Sequence, residues 1–249
     1  MFLVAVVALA RSVEEEAPLL AAALGVTAYE IGLVLRAPPP TIVLRTEDRA
    51  RATDVLQKLR SRGNDAIACD AAAIVSSKDM LSVRSFRFEP DGFAVVGEDQ
   101  RTEKTPYADL HAVVRATHAH DSAAIEKVEK TTLSFGRAAM TGGLMPTKRV
   151  RTERTVRTSE REPVLYVFRR EGRPWIVRAT RTKYEGLANA LRPTQQENFN
   201  VLVDALRQSG GVTMAYDERL LAQAKKPEDA DVAAHLLGLA VTRERPWRG

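Results

Sequence analysis

The chain has a single cysteine, Cys69, in 249 residues. That excludes an intrachain disulfide and any zinc or iron–sulfur site built from several cysteines, and a reducing cytoplasm is the expected setting. Histidine is almost as scarce, at four residues, so imidazole chemistry has few candidates. Aromatic residues make up only 6% of the chain, while Ala and Arg are abundant, a bias that carries no chemistry. Long apolar runs are missing too: none approaches the roughly 18 residues of a membrane-crossing helix. The opening stretch from Met1 to Ala10 is apolar but lacks the cationic start of an export signal, and it sits near the lower end of the ~7–15 residues such a core needs. It reads better as a buried strand, and a soluble protein is expected.

What is present is ordinary for a folded protein: 45% hydrophobic and 28% charged residues, enough to build a packed core. The fold class read from the pattern is α+β. Residues 1–77 form a βααβαβ domain. Phe2 to Leu9 is a continuous apolar run, as in a central strand. Ser12 with Glu15, and Thr27 with Glu30, have the spacing of capping boxes that open two helices, and Gly25 ends the first of them. Pro38-Pro39-Pro40 forbids further helix and leads into the strand Thr41-Ile42-Val43-Leu44. A third helix carries Val55, Leu56 and Leu59 on one stripe and stops at Gly63. The third strand, Ala66-Ile67-Ala68-Cys69, takes the cysteine as a small hydrophobe with no neighbouring cation to activate it.

This element order, with Leu24-Gly25-Val26-Thr27 and the stretch Leu59-Arg60-Ser61-Arg62-Gly63-Asn64-Asp65-Ala66, resembles the C-terminal domain of the bacterial ribosomal stalk protein; the adaptor of the Clp protease has a similar fold. The resemblance covers residues 1–72 and implies a fold that presents helices to protein partners. The stalk domain uses a basic helical face. Here the first helix begins Glu14-Glu15-Glu16, and no Lys or Arg lies between Arg11 and Arg36, so no binding residue is carried over. Basic and acidic residues balance at nine each through Lys78, and the exposed faces are expected to be ordinary solvated surface.

Residues 81–211 read as a β-rich barrel or sandwich closed by a helix. Val83 to Phe88 alternates, Glu89-Pro90-Asp91-Gly92 is a turn, and Phe93-Ala94-Val95-Val96 returns. With Pro106-Tyr107-Ala108-Asp109-Leu110 after them, these strands resemble the start of a pleckstrin-homology-like barrel. Between Lys148 and Arg181 lie eleven Lys/Arg against four Asp/Glu, so the positive charge is localised there. A hairpin is expected, with Tyr166, Phe168 and Trp175 in the core and Arg149, Arg151, Arg154 and Arg157 as candidate anion-binding residues. Thr194 and Glu197 form another capping box, followed by the stripe Phe199, Leu202, Val203 and Leu206. Residues 212–249 are read as a helical tail, with short helices at 216–223 and 228–239.

Three constellations were weighed for chemistry. His118-Ala119-His120, with His111 upstream and Asp121 alongside, offers imidazoles on one side of an extended segment, but no second cluster completes a tetrahedral site; exposed loop histidines are expected, and no metal. Thr141-Gly142-Gly143-Leu144-Met145-Pro146-Thr147-Lys148 has glycines before a lysine, yet Pro146 intervenes and a strand follows, unlike a phosphate loop. Glu89, Asp91 and Asp109 are scattered in turns without acid–base pairing. No cofactor is expected. The function read from the sequence is a cytoplasmic, non-catalytic protein-interaction or adaptor protein. The alternatives are nucleic-acid or anionic-surface binding through the basic hairpin, and a structural subunit of a larger assembly, since a long edge strand can pair with another chain.

Overall fold

The computed structural model describes residues 1–133, 147–211 and 214–243, with side chains described for 1–119, 160–211 and 214–241. The architecture is α+β: an N-terminal βααβαβ segment, a larger mixed sheet and a C-terminal helix. Two compact units are present, Met1–His118 with Glu162–Gly249, and Ala119–Arg161. The second contains backbone of two strands of the larger sheet, β7 (Leu110–Leu133) and β8 (Thr147–Arg169).

The N-terminal segment of the first unit runs β1 (Phe2–Ala8), α1 (Val13–Leu24), α2 (Ala28–Leu35), β2 (Thr41–Thr46), α3 (Arg49–Ser61) and β3 (Asp65–Asp70). The strand order is β2-β1-β3, with β1 central and antiparallel to both neighbours. Its unbroken apolar sequence has a structural cause, because successive side chains leave opposite faces and both faces are covered. Val4 and Val6 pack with Leu20, Leu24, Ile31, Val55 and Leu59 of the three helices, while Ala5 and Val7 join a different core on the other side. The Thr27–Glu30 capping box is complete, and at Ser12 the hydroxyl accepts from the Glu15 N–H. Gly25 closes α1 with φ of +73°, a left-handed turn that favours glycine.

The larger sheet adds β4 (Leu81–Glu89), β5 (Gly92–Gly97), β6 (Thr102–Pro106), β9 (Trp175–Arg178) and β10 (Ala215–Lys225), in the order β10-β7-β8-β9-β4-β5-β6. The expected hairpin is formed by β8 and β9, which pair Val164 with Arg178 through Val167 with Trp175. Alternation sorts its side chains between two layers. Val113, Leu165, Val167, Trp175 and Val177 face α4 (Gln195–Gly210), where Phe199, Leu202, Val203 and Leu206 fill the predicted stripe. Ala112, Val114, Ala116, Val164, Tyr166, Phe168 and Ile176 face α5 (Pro227–Arg243).

That second layer also holds Ala5, Val7 and Ile67. The polar junction near Ser77 therefore marks a change of sheet, and the apolar core continues across it: α5 lies against the large sheet and against the rear of the small one.

One expected helix is a strand instead. Residues 216–223, expected as a helix, belong to β10, which pairs in parallel with β7 through Ala215 with Ala112, Tyr216 with Val113 and Asp217 with Val114. Glu218, Arg219, Leu220, Leu221, Ala222 and Gln223 are good helix formers, but helix propensity amounts to at most about 0.7 kcal/mol per ordinary residue, and tertiary pairing overrides it. The helix expected over 228–239 is present as part of α5.

Candidate functional site

His118 is not in a loop. Strand β7 continues through it, so it follows Ala112, Val114 and Ala116 on the inward parity and is fully buried. This corrects the expectation of an exposed imidazole: the strand was expected to end where it carries on. The ring is held in a chain of hydrogen bonds. Its Nε2 lies 2.7 Å from the Tyr166 hydroxyl, which donates to Asp231 Oδ1 at 2.7 Å; Asp231 Oδ2 in turn accepts from the Ser77 backbone N–H at 2.8 Å. On the other side of the ring, Arg178 Nη1 lies 3.3 Å from Nδ1. A guanidinium only donates, so Nδ1 accepts and the proton sits on Nε2. Every member then has one assigned role, from Arg178 to His118 to Tyr166 to Asp231.

Arg178 also reaches Glu162 Oε2 at 3.4 Å, and the Thr180 hydroxyl donates to Glu162 Oε1. Burial raises the Tyr166 phenol far above its ordinary value, and the charge and hydrogen bond of Asp231 add to the effect. A phenol that keeps its proton donates continuously to Asp231, which suits a tie between β8 and α5 more than a nucleophile or base. Asp231 borders a cavity of about 300 Å³ with Met1, Leu3, Arg45, Ile74 and Glu228, but both of its carboxylate oxygens are already engaged.

His111 and His235 both lie near the Phe168 ring, with centroids 6.2 and 5.8 Å away. Desolvation lowers the pKa of both. At His111 the charge of Arg170 and the proximity of His235 add to this, against a hydrogen bond that the ring donates to the Arg169 backbone carbonyl. The structure thus does not bring His111 and His118 together: one flanks Phe168, the other meets Tyr166. The side chains of His120 and Asp121 lie outside the described residues, as do those of Arg149, Arg151, Arg154 and Arg157, whose backbone belongs to β8. The glycine segment at 141–146 also lies outside them. Among the described residues, no group of three or more His, Cys, Asp or Glu side chains is arranged to hold a metal. Cys69 is half-buried, and its thiol pKa is raised by desolvation and by Asp70, which disfavours the reactive thiolate.

The surface feature that stands out is on the other side of the small sheet. Among the described residues, seven large hydrophobic side chains are exposed, and five of them, Leu19, Val26, Tyr29, Leu33 and Val34, belong to α1, α2 and the turn between. Tyr29 is 75% and Leu33 53% exposed. They sit one turn apart on α2 and share its outer arc with Val34; Ile31 and Leu35 point inward. At 100° per residue, an eight-residue helix whose only charged side chain is Glu30 has more apolar surface than one core-facing stripe uses. Helices α1 and α2 lie side by side at Gly32 and Ala17, where a Cβ placed on Gly32 would make an ordinary contact with the Ala17 methyl at 4.0 Å.

On α1 the usual polarity is inverted. Glu16 points inward and is fully buried, bound by Arg62 through Nε at 2.8 Å, while Leu19 points to water. Glu16 has a partner that explains its position, and among the described residues Leu19 has none. The sequence signal was available: a nearly all-round apolar α2 and a leucine on the polar side of α1. For the buried network the signals were the parity of His118 and the place of Asp231 three residues before Ala234 on the apolar stripe of α5. Compared with family models, with curated proteins and with solved structures, the chain finds no match in any of the three.

Proposed function

We propose that the chain is a non-catalytic protein-interaction or adaptor protein that docks a partner on the outer face of α1 and α2. The observation that carries this is the concentration of exposed apolar side chains, Leu19, Val26, Tyr29, Leu33 and Val34, on one pair of adjacent helices. Single exposed hydrophobics are normal, whereas a cluster points to an interaction surface. The polar cluster with the most reactive composition, His118, Tyr166 and Asp231, supports the same reading from the opposite side, since its groups are out of water and bound to one another. Binding of nucleic acid or an anionic surface through the basic hairpin rests on charge in the sequence alone, and the helix face is the surface with a described geometry.

The test is affinity capture from native lysate with the intact chain and with a Tyr29→Ser, Leu33→Ser variant. The reading expects a stoichiometric protein retained by the first and lost by the second. Equal retention by both, or turnover of a defined substrate by the chain, would overturn it.

A further inference from the structure

We infer that the occupant of the α1–α2 face is a basic amphipathic helix of a partner protein. The inference rests on the docking function proposed above and adds its chemistry.

The charge carried by α1 and α2 themselves is of one sign; from α3, Arg51 reaches the C-terminal end of α1, where its guanidinium donates to the Leu24 carbonyl at 3.1 Å. Glu14, Glu15 and Glu30 are exposed on these helices, and no Lys or Arg occurs from residue 12 to residue 35. Arg36 stands at the edge with its guanidinium 3.3 Å from Glu14, a pair exposed enough that water and salt weaken it. Backbone N–H groups and Arg36 hold the Glu14 carboxyl below its usual range, and Thr27 does the same for Glu30 through its peptide N–H and its hydroxyl. The rim is therefore anionic, with Glu14 and Glu30 keeping their charge to lower pH than free glutamates do. This sets it apart from the rest of a chain whose net charge is +5.

That charge decides between occupants. A second copy using the same face in a two-fold dimer would bring this patch against itself, placing carboxylates opposite carboxylates. A phosphate backbone is repelled for the same reason. A partner with apolar residues at i, i+3, i+4 and i+7 and Lys or Arg beside them satisfies both parts of the surface: its stripe covers Tyr29, Leu33 and Leu19, and its cations meet Glu14, Glu15 and Glu30. Helical form follows from the host, because adjacent helices offer a groove into which a third packs by its ridges.

The experiment titrates the isotope-labelled full chain with a model helical peptide carrying Leu at the stripe positions and Lys elsewhere, and with the same peptide carrying Glu in place of Lys. The expected result is amide shifts confined to α1, α2 and their turn, with the Lys peptide bound ~10-fold more tightly at low salt and its advantage shrinking as salt screens the rim. Glu14→Gln with Glu15→Gln should reduce that advantage, and Tyr29→Ser with Leu33→Ser should abolish binding while the remaining amide spectrum stays unchanged. Equal or tighter binding of the Glu peptide would overturn the basic partner and leave the docking face standing. A concentration-dependent dimer lost on Leu33→Ser would overturn it in favour of a second copy. Failure of both peptides to shift α1 and α2 would count against the docking face itself.

Discussion

The outer face of α1 and α2 places apolar side chains in water, and the layer beneath α5 places polar ones out of it. Both arrangements run against the ordinary partition, but they differ in completion. Beneath α5, Arg178, His118, Tyr166, Asp231 and the Ser77 peptide supply one another's hydrogen bonds, as a buried polar group requires. On the outer face, among the described residues, Tyr29 and Leu33 have nothing over them. The first arrangement is finished within the chain and fixes how its layers register. The second is left open to water. Helix α1 shows both within four residues: Glu16 is inverted and answered by Arg62, and Leu19 is inverted and left open.

The comparison can be sharpened by removing one answer at a time. The largest effect is expected from Arg62→Ala, which strands the buried Glu16 carboxylate; loss of one partner of a buried pair costs about 3–5 kcal/mol, measurable by denaturant unfolding. Asp231→Ala removes the acceptor of both the Tyr166 hydroxyl and the Ser77 N–H. Each stranded buried group costs about 1–3 kcal/mol, so a loss of about 3 kcal/mol is expected, with α5 amides losing protection from hydrogen exchange first.

Acid should act on the same layer. His111 and His235 have depressed values in the folded state, so the unfolded chain binds protons that the folded chain refuses. The stability they preserve is complete above the ordinary histidine value of 6.5 and is lost as pH falls below it toward the folded values. Unfolding midpoints measured from pH 8 to 5 should decline, and His235→Gln should flatten the decline; a curve unchanged by that substitution would break the assignment. Smallest of all is the expected cost of Tyr29→Ser or Leu33→Ser in the isolated chain, below about 0.5 kcal/mol, as for exposed sites without partners. A loss above about 1 kcal/mol for either would show that the outer face is part of the fold and would end the contrast between the two regions.

Local signals carried much of this architecture. The Thr27–Glu30 and Thr194–Glu197 boxes, the proline run and the two-residue alternation from Val83 to Phe88 each specify their own stretch of backbone, and the elements appear where those signals put them. What could not be read locally was decided by partners distant in sequence. Ala215 to Lys225 is strand because Ala112 to His118 lies beside it. His118 is buried because β7 does not stop where a loop was expected, and the hydrogen-bonded chain it joins through Tyr166 ends on Asp231, 113 positions away in the sequence. Residues 1–77 were legible as a unit because their capping and strand signals are internal, but the cover over Ala5 and Val7 comes from α5 and the large sheet. The docking face was half legible: the apolar excess of α2 was visible, and which side stayed uncovered depended on how α1, α2 and β1 pack.

The double burial of β1 has a consequence for the order in which the chain is made. Its helix-facing side, Val4 and Val6, can be covered as soon as residue 59 has been synthesised. The opposite side, Ala5 and Val7, shares its core with Ala233, Leu236 and Leu237 in the last helix. During synthesis from the N-terminus, the small sheet therefore emerges ahead of both the large sheet and α5 that cover its rear, and the seal is complete only after some 170 further residues are added. Strand β1 is made well before the helix that completes the seal on its rear. A nascent chain stalled before α5 exposes the apolar back of that sheet to every neighbouring chain, and the Asp231 tie to Ser77 is the contact that arrives with the seal.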